Sequence, residues 1–179
     1  MSCSRIAVVL ATALTTLFTA LPQAETAVHL IAPSEWRQKD DMNALVSGLE
    51  DWLDAEADWP RRDALPRVRF VSRWQAEARR GATAGSQRGP LRGLYDPDRS
   101  EILLVQPWDH RDADDISVLL HELVHHRQAP HHWYCPAAQE LPAYRLQEAW
   151  LADQGRAIEV NWMAAVLDAG CTPRDIHPD

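Results

Sequence analysis

The stretch His121-Glu122-Leu123-Val124-His125 places two histidines four residues apart, with a glutamate directly after the first. On a helix, residues four apart lie on the same face, so both imidazoles can bind one metal ion. Glu122 would point to the side of that ion, where a carboxylate can take a proton from water and pass it to a leaving group. The spacing therefore predicts a catalytic metal site with Glu122 as its general base.

The predicted helix that carries this motif separates the two histidines from its apolar side chains. Asp112 caps its start, and the helix reaches about Gln128. At roughly 100° per residue, the apolar side chains fall on one arc and His121 and His125 point away from its centre. This placement favours metal binding over core packing, with a merely solvated polar face as the alternative. His126 faces away from its neighbours, which predicts a surface role more readily than a role in the site.

A tetrahedral catalytic zinc site has three protein ligands, so the two histidines need a partner. His131 follows His121 by ten residues, which is the position of the last ligand in the metzincin pattern H-E-x-x-H-x-x-G-x-x-H. That pattern has glycine at its eighth position, where this chain has Gln128. His131 is therefore the weaker candidate for the third ligand, and it stays open.

Glu140 is the stronger candidate, because it heads a predicted helix that follows the motif. Glu140, Tyr144 and Gln147 lie on one stripe at helical spacing. The fifteen residues after His125 leave room for a loop that returns the chain to the metal. An ordinary solvent-facing glutamate is the alternative interpretation, and Glu148 is a rival ligand that lies off the stripe.

The segments HELVHHRQ and ELPAYRLQEAWL together resemble the core of small secreted gluzincins, a branch of the zincin-like metallopeptidases. The resemblance covers about a third of the chain, from Gly93 to Gly155, and the chain departs from it at Pro142. It implies an α+β, zincin-like fold, in which a small mixed sheet packs on helices and the motif helix is followed by a second ligand helix. It also implies a Zn²⁺ ion held by His121, His125 and Glu140.

The same resemblance implies a peptide-binding strand. Ile102, Leu103, Leu104 and Val105 would form the upper edge of the cleft and pair with an extended peptide by strand addition. Tyr144 lies one turn beyond Glu140, where it can donate a hydrogen bond to the oxyanion of a tetrahedral intermediate, with packing as its alternative role. Asp153 or Gln147 would hydrogen-bond to the ring nitrogens of the histidine ligands.

The rest of the sequence predicts the elements that position these residues. A capping serine, Ser34, precedes apolar residues at helical intervals, and Asp96-Pro97 marks the turn of a hairpin. A glycine-rich segment, 81–93, predicts a loop. The other predicted elements are a helix at 34–57, a strand at 67–71, a helix at 74–80, hairpin strands at 93–95 and 101–106, a helix from 140 or 141 to 154, and a last helix at 158–169.

The first 27 residues have the pattern of an export signal, which leaves residues 28–179 as a single domain. The uncharged run 6–21 is slightly short of the ~20 residues that cross a bilayer, and an uncleaved anchor is the alternative. We therefore expect an exported, periplasmic or secreted protein without stable membrane insertion. Cys135 and Cys171 then remain as an even pair, which predicts a disulfide. Zinc binding by Cys135 is the weaker interpretation.

Charge restricts the partners of the chain. Its 18 basic and 26 acidic residues give a formal net charge of -8, which argues against nucleic acid as a partner. The sequence therefore predicts an exported zinc metallohydrolase, specifically a peptidase acting on a peptide or protein substrate. Two alternatives remain: a catalytically inactive zincin-like domain that binds a peptide or partner and retains its metal, and a metal-carrying protein that uses the additional histidines.

Overall fold

The computed structural model describes residues 41–80 and 90–171. Within these ranges the chain forms five α-helices and one three-stranded sheet, which confirms the α+β prediction. The predicted export signal at 1–27, the Ser34 cap and residues 81–89 of the glycine-rich loop lie outside the described residues. No helix in the described ranges is long and apolar enough to cross a membrane.

The elements follow the predicted order along the chain. They are α1 (Met42–Glu56), β1 (Arg67–Val71), α2 (Arg73–Arg80), β2 (Gly93–Asp96), β3 (Glu101–Val105), α3 (Ala113–Gln128), α4 (Glu140–Asp153) and α5 (Trp162–Ala169). A 3-10 turn, Pro136–Gln139, leads directly into α4.

Aspartate caps fix the starts of α1 and α3. Asp41 has an extended backbone and its side chain accepts from the N–H of Asn43 at 3.0 Å, so α1 begins at Met42, and residues 34–40 of the predicted helix lie outside the described residues. Asp112 accepts from the N–H of Asp114 at 2.8 Å and starts α3 where the sequence predicts. A side-chain oxygen at this position satisfies an N–H group that has no partner within the helix.

The last helix, α5, is shorter than predicted and lies on the surface. The side chain of Asn161 accepts from the N–H of Ala164 at 3.1 Å, so the helix begins at Trp162 rather than at Ile158. None of its residues is buried. Its end is tied to the rest of the chain by the predicted disulfide, because Cys171 is bonded to Cys135 in the loop after α3.

Strand β3 lies in the centre of the sheet, whose order is β1-β3-β2. β1 runs parallel to β3 and β2 runs antiparallel to it, and all five residues of β3 are buried. A strand that is paired on both sides has no free backbone groups to offer a peptide. The prediction that Ile102, Leu103, Leu104 and Val105 form the substrate-binding edge is therefore wrong. Within the described sheet, β2 is the edge strand on the side of the motif helix.

The core explains why β3 is apolar on both faces. Ile102 and Leu104 belong to the main cluster, which α1, α3 and α4 also build, while Leu103 and Val105 pack in a smaller cluster with Ala76 of α2. Covered faces on both sides give a strand a continuous apolar sequence instead of an alternating one.

A buried ion pair joins α3 to α1. The side chains of Arg127 and Glu50 are each 1% exposed, and Arg127 Nε donates to Glu50 Oε2 at 2.8 Å. The same guanidinium donates to Trp59 O at 3.1 Å and to Asp54 Oδ1 at 2.7 Å. These contacts fix the end of the motif helix against α1 and the segment after it.

Candidate metal centre

Three side chains from α3 and α4 converge on one point. His121 Nε2 lies 3.0 Å from His125 Nε2, and Glu140 places one carboxylate oxygen 3.3 Å from His121 Nε2 and the other 3.6 Å from His125 Nε2. The two histidines share one face of α3, and Glu140 is the first residue of α4. Neither His131, which is exposed, nor Cys135, which is in the disulfide, joins this group.

These separations fit a bound tetrahedral cation. Zinc binds imidazole nitrogen and carboxylate oxygen at about 2.0–2.1 Å, which places tetrahedral ligands about 3.3–3.4 Å apart. The three measured separations of 3.0, 3.3 and 3.6 Å bracket that value. Two histidines with one glutamate are also a donor set that catalytic zinc sites use.

The electrostatics of the group favour a positive charge at its centre. Burial opposes charge on His125, but the neighbouring Glu140 carboxylate outweighs burial and raises the pKa of His125 to about 9. Burial likewise opposes ionisation of Glu140, yet hydrogen bonds with His121 and His125 hold its pKa well below its usual range. The Glu140 carboxylate is therefore ionised. A positive charge beside it, either a protonated imidazole or a metal ion, is stabilised.

Glu122 lies beside this group in a buried position against the edge strand β2. It is 6% exposed, and burial raises its pKa although His121 and His125 act in the opposite direction. The backbone N–H of Tyr95 donates to its carboxylate. Glycine is required at position 93, because a Cβ atom there would lie 2.6 Å from Glu122 Oε1 and 2.7 Å from Val118 Cγ1. Gly93 thus allows β2 to approach the predicted general base.

Gln128 orients His125, a role that the sequence did not indicate. His125 Nδ1 lies 2.9 Å from Gln128 Oε1, and Gln128 Nε2 donates to Gln139 O at 3.1 Å. This buried amide therefore connects one histidine to the residue that precedes Glu140. A hydrogen bond at the far ring nitrogen fixes the tautomer and the direction of a ligand histidine.

The residues predicted for that orienting role have other partners. Asp153 accepts from Trp52 Nε1 at 2.9 Å, and Gln147 donates to Ser117 Oγ at 2.9 Å. His121 Nδ1 is buried and has no hydrogen-bond partner among the described residues. Both predictions for the orienting residue are therefore wrong, because Asp153 joins α4 to α1 and Gln147 joins it to the first half of α3.

His126 is buried, not exposed as the sequence predicted. It is 1% exposed, and its Nε2 lies 3.0 Å from Ala64 O while its Nδ1 lies 3.0 Å from the hydroxyl of Tyr95. Burial lowers the pKa of His126 to about 4, and the guanidinium of Arg62 acts in the same direction. His126 therefore stays neutral and connects α3 with both β2 and the segment before β1.

Tyr144 packs directly on the group of His121, His125 and Glu140, which we call the metal group because these side chains could hold a metal ion. Its ring centroid lies 4.7 Å from that of His121, with the two planes inclined at 55°. Burial raises the pKa of Tyr144 to about 12, and the carboxylates of Glu140 and Glu122 act in the same direction. Its hydroxyl remains a proton donor at neutral pH.

The metal group opens into a cleft of about 640 Å³. One wall is formed by β2, the turn after it and the end of α2, including Arg79, Arg80 and Arg99. The opposite wall is formed by the 3-10 turn and α5, including Ala164, Ala165 and Asp168. Glu122, His125, Glu140 and Tyr144 also line the cleft. No residue of β3 lines the cleft.

Comparison with protein families identifies the family of this chain. A family described as a domain of unknown function, DUF6647, matches residues 24–179. The chain belongs to this family. Searches of curated proteins and of solved structures found no match to this chain.

Proposed function

We propose that this chain is an exported zinc metallopeptidase of the zincin type. The observation that carries the proposal is the convergence of His121, His125 and Glu140 on one point beside the buried carboxylate of Glu122. Structural zinc sites are closed by four protein ligands, whereas catalytic sites use three and leave one position for water or substrate. Three metal-binding side chains meet here within the described part of the chain, and the group faces an open cleft.

The chemistry follows from the residues around that point. His121, His125 and Glu140 would hold the ion, which supplies a Lewis acid that acidifies water and polarises a carbonyl. Glu122 takes the proton of the attacking water at its carboxylate and passes it to the leaving amine. Its raised pKa makes the carboxylate a stronger base than an exposed glutamate.

Tyr144 is the proposed electrophilic partner of Glu122. Its hydroxyl stays protonated because its pKa is about 12. A protonated phenol that lines the cleft can donate a hydrogen bond to the oxyanion that forms when water attacks a peptide carbonyl. Glu122 would then transfer the proton, and Tyr144 would stabilise the negative charge on the oxyanion.

Strand β2 is the proposed docking site for an extended peptide. Arg92 O accepts from Val105 N–H at 2.8 Å, and hydrogen-bonded pairs alternate along an antiparallel ladder. By that alternation, Leu94 and Asp96 pair with β3, whereas Gly93 and Tyr95 turn their backbone groups away from it. The N–H of Tyr95 donates to Glu122, so the groups that remain for a peptide are the N–H and C=O of Gly93 and the C=O of Tyr95, at the edge that lines the cleft.

Export is part of the proposal, and the disulfide supports it. Cys135 and Cys171 are bonded, with a Cα–Cα distance of 6.1 Å. Disulfides persist in oxidising compartments such as the periplasm and the extracellular space, and they are rare in the cytosol. The apolar start of the chain is the matching sequence feature.

Metal content measured by mass spectrometry tests the site first. The purified protein should hold one zinc ion, Glu140→Ala should lose it, and His131→Ala should keep it. Loss of zinc in His131→Ala, with retention in Glu140→Ala, would contradict the assignment of the third ligand.

Peptide cleavage with Glu122→Gln tests the activity. The variant should keep its zinc and lose turnover by about 10²–10⁴-fold, the usual contribution of a general base. Retained zinc with equal, negligible turnover in wild type and variant would favour the inactive peptide-binding alternative over the enzyme.

A further inference from the structure

Two neighbouring histidines of α3 point in different directions and serve different partners. His125 belongs to the metal group, whereas His126 contacts Tyr95 of β2 through its ring. The two rings of this contact are edge-on, with centroids 5.4 Å apart. His126 is therefore built into the contact between the motif helix and the edge strand.

The hydrogen bonds of His126 determine how its ring is used. Its Nε2 donates to Ala64 O, which leaves Nδ1 as an acceptor for the Tyr95 hydroxyl at 3.0 Å. Arg62 Nη1 donates to the same hydroxyl at 3.1 Å and to His126 O at 3.3 Å, and it also lies 3.2 Å from His126 Nδ1. The hydroxyl of Tyr95 thus has both a donor and an acceptor partner, so its position is fixed by two elements outside β2.

Tyr95 contacts Glu122 through its backbone and His126 through its side chain. Its N–H donates to the carboxylate of Glu122, while its side chain runs to His126. Gly93, two residues earlier on the same face of β2, leaves no spare room beside Glu122. A shift of β2 relative to α3 would therefore move the hydrogen bond that holds Glu122.

We propose that Tyr95 and His126 are positioning residues for Glu122, and this inference rests on the proposed peptidase activity. They fix β2 against α3, and the Tyr95 N–H then holds the carboxylate in the direction that proton transfer requires. Neither side chain belongs to the metal group. Their loss should therefore disturb the base and leave the metal in place.

Three variants test this with matched chemistry. Tyr95→Phe removes one hydroxyl and keeps the ring, His126→Leu removes the polar contacts of the imidazole with Ala64, Tyr95 and Arg62, and His126→Gln keeps one donor and one acceptor. We expect Tyr95→Phe to lower kcat by about tenfold with unchanged KM and zinc content, because a misplaced group about 1 Å away from its productive position costs up to about 10²-fold. His126→Leu should have a larger effect, and His126→Gln should recover part of it. Tyr134→Phe, at an exposed tyrosine outside the cleft lining, is the control.

A Glu122→Gln background separates positioning from general damage to the fold. If Tyr95 acts through Glu122, Tyr95→Phe should lower kcat in the wild-type background and have no further effect once the base is gone. Equal losses in both backgrounds, or wild-type kcat in Tyr95→Phe, would overturn the inference.

Hydrogen exchange at the Tyr95 amide gives a readout that does not need turnover. This N–H should exchange slowly in the wild type and faster in Tyr95→Phe and in His126→Leu, while the N–H groups at the centre of β3 stay protected. If the protein cleaves no peptide, the proposed function fails, and amide exchange alone decides this inference. Unchanged exchange at residue 95 in both variants would overturn it.

Discussion

Gly93→Ala should impair the proposed enzyme without removing its metal. A methyl group at this position would lie 2.6 Å from Glu122 Oε1, whereas ordinary contacts begin at 3.4 Å, so the carboxylate or β2 must move by 3.4 − 2.6 = 0.8 Å to restore an ordinary contact. Displacement of a catalytic group by about 1 Å can cost about 10²-fold in rate. Overpacking should also lower the free energy of unfolding by about 2 kcal/mol, or Tm by about 6 °C.

Steady-state cleavage of a peptide and thermal unfolding would measure these two effects. The zinc content should stay at the wild-type level, because the overlap involves Glu122 and Val118 and none of the three proposed ligands. Gly170→Ala is the matched control, since Gly170 has a φ of -70° and its nearest atom to a new Cβ is Leu167 O at 3.3 Å. Wild-type kcat together with wild-type Tm in Gly93→Ala would refute the close approach of β2 to Glu122.

Three further predictions concern contacts outside the metal group. Arg127→Met should lower the free energy of unfolding in urea by about 3–5 kcal/mol, because the buried Glu50 carboxylate loses its partner, and Glu50→Gln in the same chain should restore part of the loss. Replacement of both Cys135 and Cys171 by serine should cost about 3–4 kcal/mol in the same assay, since the bond closes a loop with a sequence separation of 36. Burial opposes ionisation of Asp96, but hydrogen bonds from two arginines lower its pKa below the ordinary value of 3.8. The contribution of Asp96 to the free energy of unfolding is therefore complete above pH 3.8, and it disappears as the pH falls through the lower pKa of the folded state. Urea titrations between pH 2 and pH 6 should show a shallower acid loss in Asp96→Asn, and equal slopes would contradict the ion pairing.

The metal group was accessible to sequence analysis because its spacing is local. His121 and His125 lie on one face of any helix that contains them. Glu140 needed only a loop and a helix start, both of which turn-forming residues indicate. The structure brings these three residues together as the sequence predicts.

Sequence analysis could not identify β2 as the strand that lies beside the site. An apolar run such as Glu101–Val105 does not show which strands flank it, and the pairing of β3 with β1 joins residues 34 apart, Arg67 and Glu101. Gly93 carried a signal, because an isolated glycine in a strand often marks a close backbone approach. What approached it, Glu122, could be known only once α3 was placed against β2.

His126 and Gln128 show the same limit on helix α3. A helical wheel separates an apolar arc from a polar one, and it assigns polar side chains to solvent. Here the polar arc is covered by β2, by α4 and by the segment before β1, so His126 and Gln128 are buried and hydrogen-bonded. A polar side chain on a helix is therefore buried when elements distant in sequence pack over it, and the helix sequence alone does not show this.

Helix α5 makes the shape of the cleft depend on the redox state of the surroundings. It contributes Ala164, Ala165 and Asp168 to one wall, yet it buries no residue of its own, and a single covalent bond secures its end. In a reducing compartment that bond would be absent, and the wall would rely on surface contacts such as those of α5 with α4 and the 3-10 turn. His121, Glu122, His125 and Glu140 would keep their scaffold, but one wall of the cleft would lose its covalent attachment. Oxidation of Cys135 and Cys171 therefore secures the wall of the cleft to which α5 contributes.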